Sequence, residues 1–303
     1  MGMTGTSRIE EAGLGRAPLR SGLIVVALYL CACSVLVAQE VEDPSPYSEA
    51  TLIAETTTAR PGDPLIVGLR IELDPGWHSY WINPGDAGQP ASIEWDLPGG
   101  FGAGEIQWPY PHIIQEPSVV SYGFDNELVL LTEIVTPRFM TTGFPVKFAA
   151  EAHWLVCENI CLPATANLEL EIEMSEREPR IDSRWEQLFE QTRAKLPRSP
   201  DSWDIDASQD AETVALHLSP ANVSELSFEG AHFFSSERGV VSHGSPQTVS
   251  VENETVRISI QKSKYLRSPL SELTGVLVLP EPVDLGNGPA RALSIKTPVA
   301  AIP

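Results

Sequence analysis

The chain has 303 residues, with 20 basic against 41 acidic side chains and a formal net charge of −21. A surface of that sign repels a phosphate backbone, which excludes nucleic acid as a partner. It has only four cysteines, at positions 31, 33, 157 and 161.

The first 39 residues read as an export signal: Arg8, Arg16 and Arg20, then the apolar run "GLIVVALYLCACSVLVA", then polar "QEVEDPSPYSE". At about 17 residues the run is at the short limit for a membrane span, and it ends in a small residue, Ala38. Cleavage there removes three basic and two acidic groups and leaves 17 against 39, a net charge of −22. "LCAC" resembles a bacterial lipobox and offers a second processing site, with a lipid anchor at Cys33. An uncleaved anchor is the third option. Either cleavage removes Cys31, and the first also removes Cys33. Cys157 and Cys161 then remain in an oxidising compartment, where a nearby pair is a disulfide or a redox couple. No later apolar stretch is long enough to cross a bilayer. The expectation is a periplasmic body of about 260 residues, suited to two domains.

From Tyr47 to about Ser175 come short runs, "PLIVGLRIEL", "ASIEWDL", "ELVLLTEIV", "FPVKFAAEAHWLV" and "ANLELEIEM", separated by Gly, Pro, Asn and Asp. Strands at that spacing predict a β-sandwich. "SEREPRIDSRWEQLFEQTRAKLPRSP" then places Trp185, Leu188, Phe189, Thr192 and Leu196 at helical spacing, with Asp182 or Ser183 as N-cap and Pro197 as stop. Its apolar stripe is expected to pack on a neighbour. After Trp203 the strand pattern resumes in "TVALHLS", "ELSFEGAHFF", "TVSVENETVRISIQK", "LTGVLVL" and "ALSIKT", a second sandwich without cysteine. The predicted organisation is all-β: a signal over 1–39, a first sandwich over 45–175, a helical linker over 176–200 and a second sandwich over 201–298. His217, His232 and His243 show no ligand spacing and read as ordinary strand or loop residues.

Approaching Cys157, the even positions Val146, Phe148, Ala150, Ala152, Trp154 and Val156 are apolar, while Lys147, Glu151 and His153 fall on odd ones. Leaving Cys161, Leu162, Ala164, Ala166, Leu168, Leu170 and Ile172 are apolar and Thr165, Asn167, Glu169 and Glu171 polar. Side chains alternate across a strand, so the even face is the core and both cysteines lie on the outward face. "ENI" suits a three-residue hairpin loop that sets Cys157 opposite Cys161. Opposed Cβ atoms lie about 4.5–5.5 Å apart and a disulfide needs about 3.8 Å, so the bond forms with a modest pinch of the ladder. Such a bond is expected to be strained and reducible. As a staple it is weak: closing so small a ring stabilises by roughly 2 kcal/mol, against about 4.7 for a hundred-residue loop.

Three readings remain open on these residues. The pair is a redox couple, a local staple, or part of a metal site. A metal site would draw His153, His78 or His112 as added ligands, and sulfur ligands would favour Cu(I) in a non-enzymatic binding module. The spacing matches no zinc site, and no metal or other cofactor is assigned. Trp77, Trp81, Trp95 and Trp108 read as core and turn packing and "NPGD" at 83–86 as a turn. His78 and Asp86 are candidates to tune a thiolate.

"ARPGDPLIVGLRIELDPGWHSYWINPGDAGQPASIEW", "IQWPYPH", "VVSYGFDNELVLL" and "HWLVCENICLP" together resemble the exported N-terminal domain of the thiol:disulfide interchange reductases of the DsbD family and their ScsB-like relatives. The resemblance covers roughly residues 50–175, and more weakly the linker and second sandwich. It implies immunoglobulin-like sandwiches and a domain that relays electrons by disulfide exchange, with Cys157 and Cys161 as the redox pair. In the family, electrons come from a thioredoxin-like domain fed by a membrane-embedded domain and pass to exported proteins. Neither of those domains is recognisable here. The expected partners are therefore separate thioredoxin-fold proteins or a separate membrane electron-transfer protein. The resemblance also implies that Cys161 forms the mixed disulfide and Cys157 resolves it. It further implies a mobile aromatic cap loop, matched by Glu116 to Glu127, with Tyr122 and Phe124 as the covering rings, although Ser121 falls where the family has its ring.

Overall fold

The alternation described above is realised as strands throughout the computed structural model, which describes residues 46–220, 223–286 and 288–301. The export signal and the Cys33 anchor lie outside the described residues. In chain order the first strands are β1 (Ser48–Ala54), β2 (Thr58–Ala59), β3 (Leu65–Leu73), β4 (His78–Gly85), β5 (Ser92–Asp96) and β6 (Gly102–Gln107). They are followed by β7 (His112–Gln115), β8 (Val120–Asp125), β9 (Glu127–Val135), β10 (Pro145–Cys157) and β11 (Cys161–Met174). One sheet has the order β1-β3-β9-β6; the other has β2-β11-β10-β4-β8-β7, with β5 also paired to β10.

The two sheets face each other across one apolar core. Val67, Leu69, Ile71, Leu128 and Leu130 meet Phe148, Ala150, Ala152, Trp154 and Val156. From Phe148 to Val156 the even positions of β10 are buried and the odd ones half-buried, as the alternation requires. Each large side chain taken out of water stabilises by about 1.5–3 kcal/mol. A register slip of one residue would turn this whole set to solvent.

The helix α1 (Glu186–Ala194) starts later than expected, with Trp185 at the N-cap and no side-chain capping bond. Asp182 is drawn elsewhere: its carboxylate accepts from the Arg184 backbone N–H and guanidinium, while its carbonyl accepts from Trp185 and Glu186. The turn before the helix thus takes the place of the expected cap. Phe189, fully buried, packs on Ile53, Val129 and Leu131, the outer face of the four-stranded sheet.

Beyond the helix follow β12 (Asp204–Gln209), β13 (Thr213–Ser219), β14 (His232–Ser235), β15 (Thr248–Glu252), β16 (Thr255–Gln261), β17 (Glu272–Asp284) and β18 (Pro289–Ala301). Their order is β14-β17-β18-β12-β13-β16-β15, and β18 changes partner from β17 to β12 near its end. Val214, Leu216, Ile258, Ile260, Leu277 and Leu293 fill this second core. The whole is an all-β, immunoglobulin-like sandwich architecture.

The two halves are packed together rather than merely tethered. Phe234, Val276 and Ala292 belong to the same apolar cluster as Trp81 and Tyr122. The Tyr122 ring meets Phe234 edge-on at 4.8 Å and His243 at 5.1 Å. Asn83, fully buried, donates from Nδ2 to the carbonyls of Ser235 and Glu237 at 2.8 and 3.1 Å. A buried amide without partners would be costly, so these two bonds fix the relative placement of the halves. His232 also sits here, and burial lowers its pKa to about 4.

Candidate functional site

Cys157 and Cys161 are direct cross-strand partners at the tip of the β10–β11 hairpin, with Cα atoms 4.2 Å apart, and they form a disulfide. The tip is closed by Glu158 N–H donating to the Ile160 carbonyl at 3.1 Å. The two sulfurs are not equivalent. Cys161 is exposed, whereas Cys157 is 1% exposed because β4 pairs with β10 at this end, His78 opposite Cys157. Among the described residues β2 pairs with the outer edge of β11 only at Glu173 and Met174, which leaves that edge beside Cys161 without a strand partner. Pro163, which has no N–H, lies on this edge.

The residue against the exposed sulfur is Tyr80. Its hydroxyl lies 3.4 Å from Cys161 Sγ and 3.3 Å from His78 Nε2. Burial is the first cause of both pKa shifts: it pushes Tyr80 up to about 12, with Glu116 adding to the rise, and it lowers His78. At neutral pH the hydroxyl therefore keeps its proton and is a donor, and the imidazole is uncharged. A thiolate formed on Cys161 would accept that hydrogen bond, and a bond to the charged form lowers a thiol pKa. Tyr80 then accepts from His78 in its Nε2–H tautomer.

Tyr122 and Phe124 do not cover the sulfur. Cross-strand partners share a face, and the pairs Cys157–His78, His78–Asp125 and Tyr80–Gly123 place the disulfide, Tyr80 and Gly123 together on one side. Tyr122 and Phe124 alternate with Gly123 and point to the other side, into the core. Tyr122 is fully buried against the second half, and burial raises its pKa. The ring beside the sulfur is thus Tyr80, from a neighbouring strand, and not Tyr122 or Phe124. The segment expected as the cap is a hairpin, β7–β8, whose turn bonds Glu116 N–H to the Val119 carbonyl.

The histidines considered as metal ligands are engaged separately. His112 pairs with Asp125 at 2.7 Å, and His153 contacts Thr165 Oγ1 at 3.0 Å. Among the described residues no group of three or more His, Cys, Asp or Glu is placed to hold a metal ion. Asp86 is remote from the sulfurs in bonding terms. It accepts from His243 Nδ1 at 2.8 Å and from Val120 N–H at 3.0 Å. Burial pushes its pKa up, but these bonds and the nearby Lys264 outweigh burial and leave it lowered.

A disulfide at the exposed tip of a hairpin, on an immunoglobulin-like sandwich, defines a module suited to thiol–disulfide exchange. Residues 49–172 match the family described as "Thiol:disulfide interchange protein DsbD, N-terminal". The crystal structure of the N-terminal periplasmic domain of ScsB from Proteus mirabilis is similar in fold. It is 14% identical, covers 84% of this chain and 94% of its own, and has a TM-score of 0.60. The reduced N-terminal domain of DsbD from Neisseria meningitidis aligns with 41% of this chain and 83% of its own at 15% identity, with a TM-score of 0.23. No curated protein matches the chain. The family match and the disulfide-forming pair support thiol–disulfide exchange in general. Among the described residues no helix is long and apolar enough to cross a membrane.

Proposed function

We propose that this protein is a periplasmic electron relay that exchanges its Cys157–Cys161 disulfide with thioredoxin-fold partners. The observation that carries the proposal is the inequality of the two sulfurs: Cys161 is exposed beside an open strand edge and Cys157 is buried behind it. In the reductive half, a partner thiolate attacks Cys161 Sγ. The Cys157–Cys161 bond breaks, and Cys157 leaves as a thiolate that takes up a proton. The partner's second thiol then attacks its own sulfur in the mixed disulfide and releases Cys161. Two electrons and two protons have moved to this chain, and the partner has become a disulfide. The oxidative half runs in reverse against an acceptor disulfide: Cys161 attacks, and Cys157 resolves. The Tyr80 hydroxyl stabilises the Cys161 thiolate at each appearance. The acidic surface favours partners with complementary basic rims.

The test is to mix the oxidised protein anaerobically with a reduced thioredoxin-fold protein and count thiols at the Cys157 and Cys161 peptides by mass spectrometry. Gain of two thiols, matched by a disulfide in the partner, is expected. Persistence of the disulfide while a small reductant opens it would overturn the relay.

A further inference from the structure

The contacts between the halves converge on the segment that carries and covers Tyr80. Asn83 is held by the carbonyls of Ser235 and Glu237. Asp86 holds both His243 Nδ1 and the Val120 N–H, and its own N–H bonds the Val120 carbonyl at 2.9 Å. Arg238 Nη2 donates to the Gly88 carbonyl at 2.6 Å. Gly88 lies against the Tyr80 ring: at φ +103°, a Cβ there would stand 2.4 Å from Tyr80 Cε1. Only a glycine lets backbone approach a ring so closely. The Tyr80 ring is thus enclosed on one side by a loop whose anchors are second-half residues, and at its far end its hydroxyl meets Cys161 Sγ.

We infer that the second sandwich is a positioning element for the redox site: through Arg238, His243 and the Ser235–Glu237 backbone it fixes the loop from Asn83 to Gly88, which holds the Tyr80 hydroxyl against Cys161. This deepens the exchange reading and rests on it. The second sandwich carries no cysteine, yet it sets how readily Cys161 ionises. Arg238, exposed at the rim, is the clearest probe because its loss leaves the core intact.

The experiment measures the pH dependence of iodoacetamide alkylation at the Cys161 peptide in the full chain, with Cys157→Ser in every variant so that this peptide has one thiol at the site. Tyr80→Phe should raise the midpoint by about one pH unit, a tenfold loss of thiolate at a fixed pH below it. Arg238→Ala should raise it in the same direction, by about threefold in thiolate fraction. Arg238→Lys, which keeps a donor, should restore most of the shift. Combining Arg238→Ala with Tyr80→Phe should add nothing, since the group being positioned is gone. An unmoved midpoint in Arg238→Ala, or a full additive shift in the Tyr80→Phe background, would overturn the inference. An unmoved midpoint in Tyr80→Phe would overturn it as well. Merely loosening the fold has no reason to produce this non-additivity. Failure of the parent protein to exchange with a thioredoxin-fold partner would sink the relay reading instead, whatever the midpoints do.

Discussion

His232 makes the stability of the junction depend on pH, and its removal isolates that dependence. Its ring packs against Phe234 at 4.6 Å and Tyr122 at 6.3 Å, and its Nε2 lies 3.2 Å from the Gln247 side-chain nitrogen. Because the amide donates, Nε2 must be the unprotonated nitrogen, and the ring is neutral in the folded protein. Burial alone lowers its pKa to about 4 from the ordinary imidazole value of about 6.5. Between those values the unfolded chain binds a proton that the folded chain refuses. The stability is therefore fully present above about pH 6.5 and is lost as pH falls toward 4. The difference corresponds to about 3 kcal/mol. His232→Gln stays neutral throughout, so its stability lacks this component. Urea unfolding of both proteins at intervals from pH 7.5 to 4 should show the parent's advantage over the variant shrinking by about 3 kcal/mol, most steeply between 6 and 4.5. Carboxylates common to both proteins cancel in the comparison. A difference constant across that range would refute a neutral His232 at the junction.

Three further outcomes follow from the packing. Gly123→Ala would put a Cβ 2.1 Å from the Ser79 carbonyl oxygen across β4–β8; a loss of about 2–4 kcal/mol is expected from urea midpoints, and a loss below about 0.5 would contradict the close approach. Phe234→Ala empties the shared core between Tyr122 and Trp81 and should cost about 3–5 kcal/mol while unfolding stays a single transition; two separate transitions, one unaffected, would show independent halves. Reducing the Cys157–Cys161 bond should leave far-ultraviolet circular dichroism unchanged and cost about 2 kcal/mol, the worth of so small a ring. Cooperative unfolding on mild reduction would make the bond a structural staple.

Local pattern carried much of this site into the sequence. The parity of Val146 to Val156 and Leu162 to Ile172, with three residues between the cysteines, was enough to place Cys157 opposite Cys161 across a hairpin, but the outward exposure it implied holds for Cys161 and not for Cys157. Parity also held the information that Tyr122 and Phe124 face inward, since Val120, Tyr122 and Phe124 alternate with Ser121, Gly123 and Asp125. The family resemblance drew them toward the sulfur instead. What parity cannot supply is which strand lies beside β10. The burial of Cys157 and the contact from Tyr80 both depend on β4 arriving there, a pairing of residues about eighty apart. The ring spacing of His78 and Tyr80 marked one strand face, yet nothing local tied that face to cysteine. The bonds from Asn83, Asp86 and Gly88 to the second sandwich span about 150 residues. They are products of tertiary packing with no local signature.

Cys161 is the sulfur proposed to meet the partner, and mixed-disulfide capture tests that role. Cys157→Ser and Cys161→Ser are each offered, in reduced form, a thioredoxin-fold protein whose single active-site cysteine carries an activated mixed disulfide. A thiolate attacking the partner's sulfur expels the small thiol and leaves a covalent complex, mapped to its cysteine by mass spectrometry. Rapid capture through Cys161 is expected in Cys157→Ser. None is expected at Cys157 in Cys161→Ser, where the remaining sulfur is 1% exposed. Capture at Cys157 alone, with Cys161 inert in a folded protein, would contradict that role.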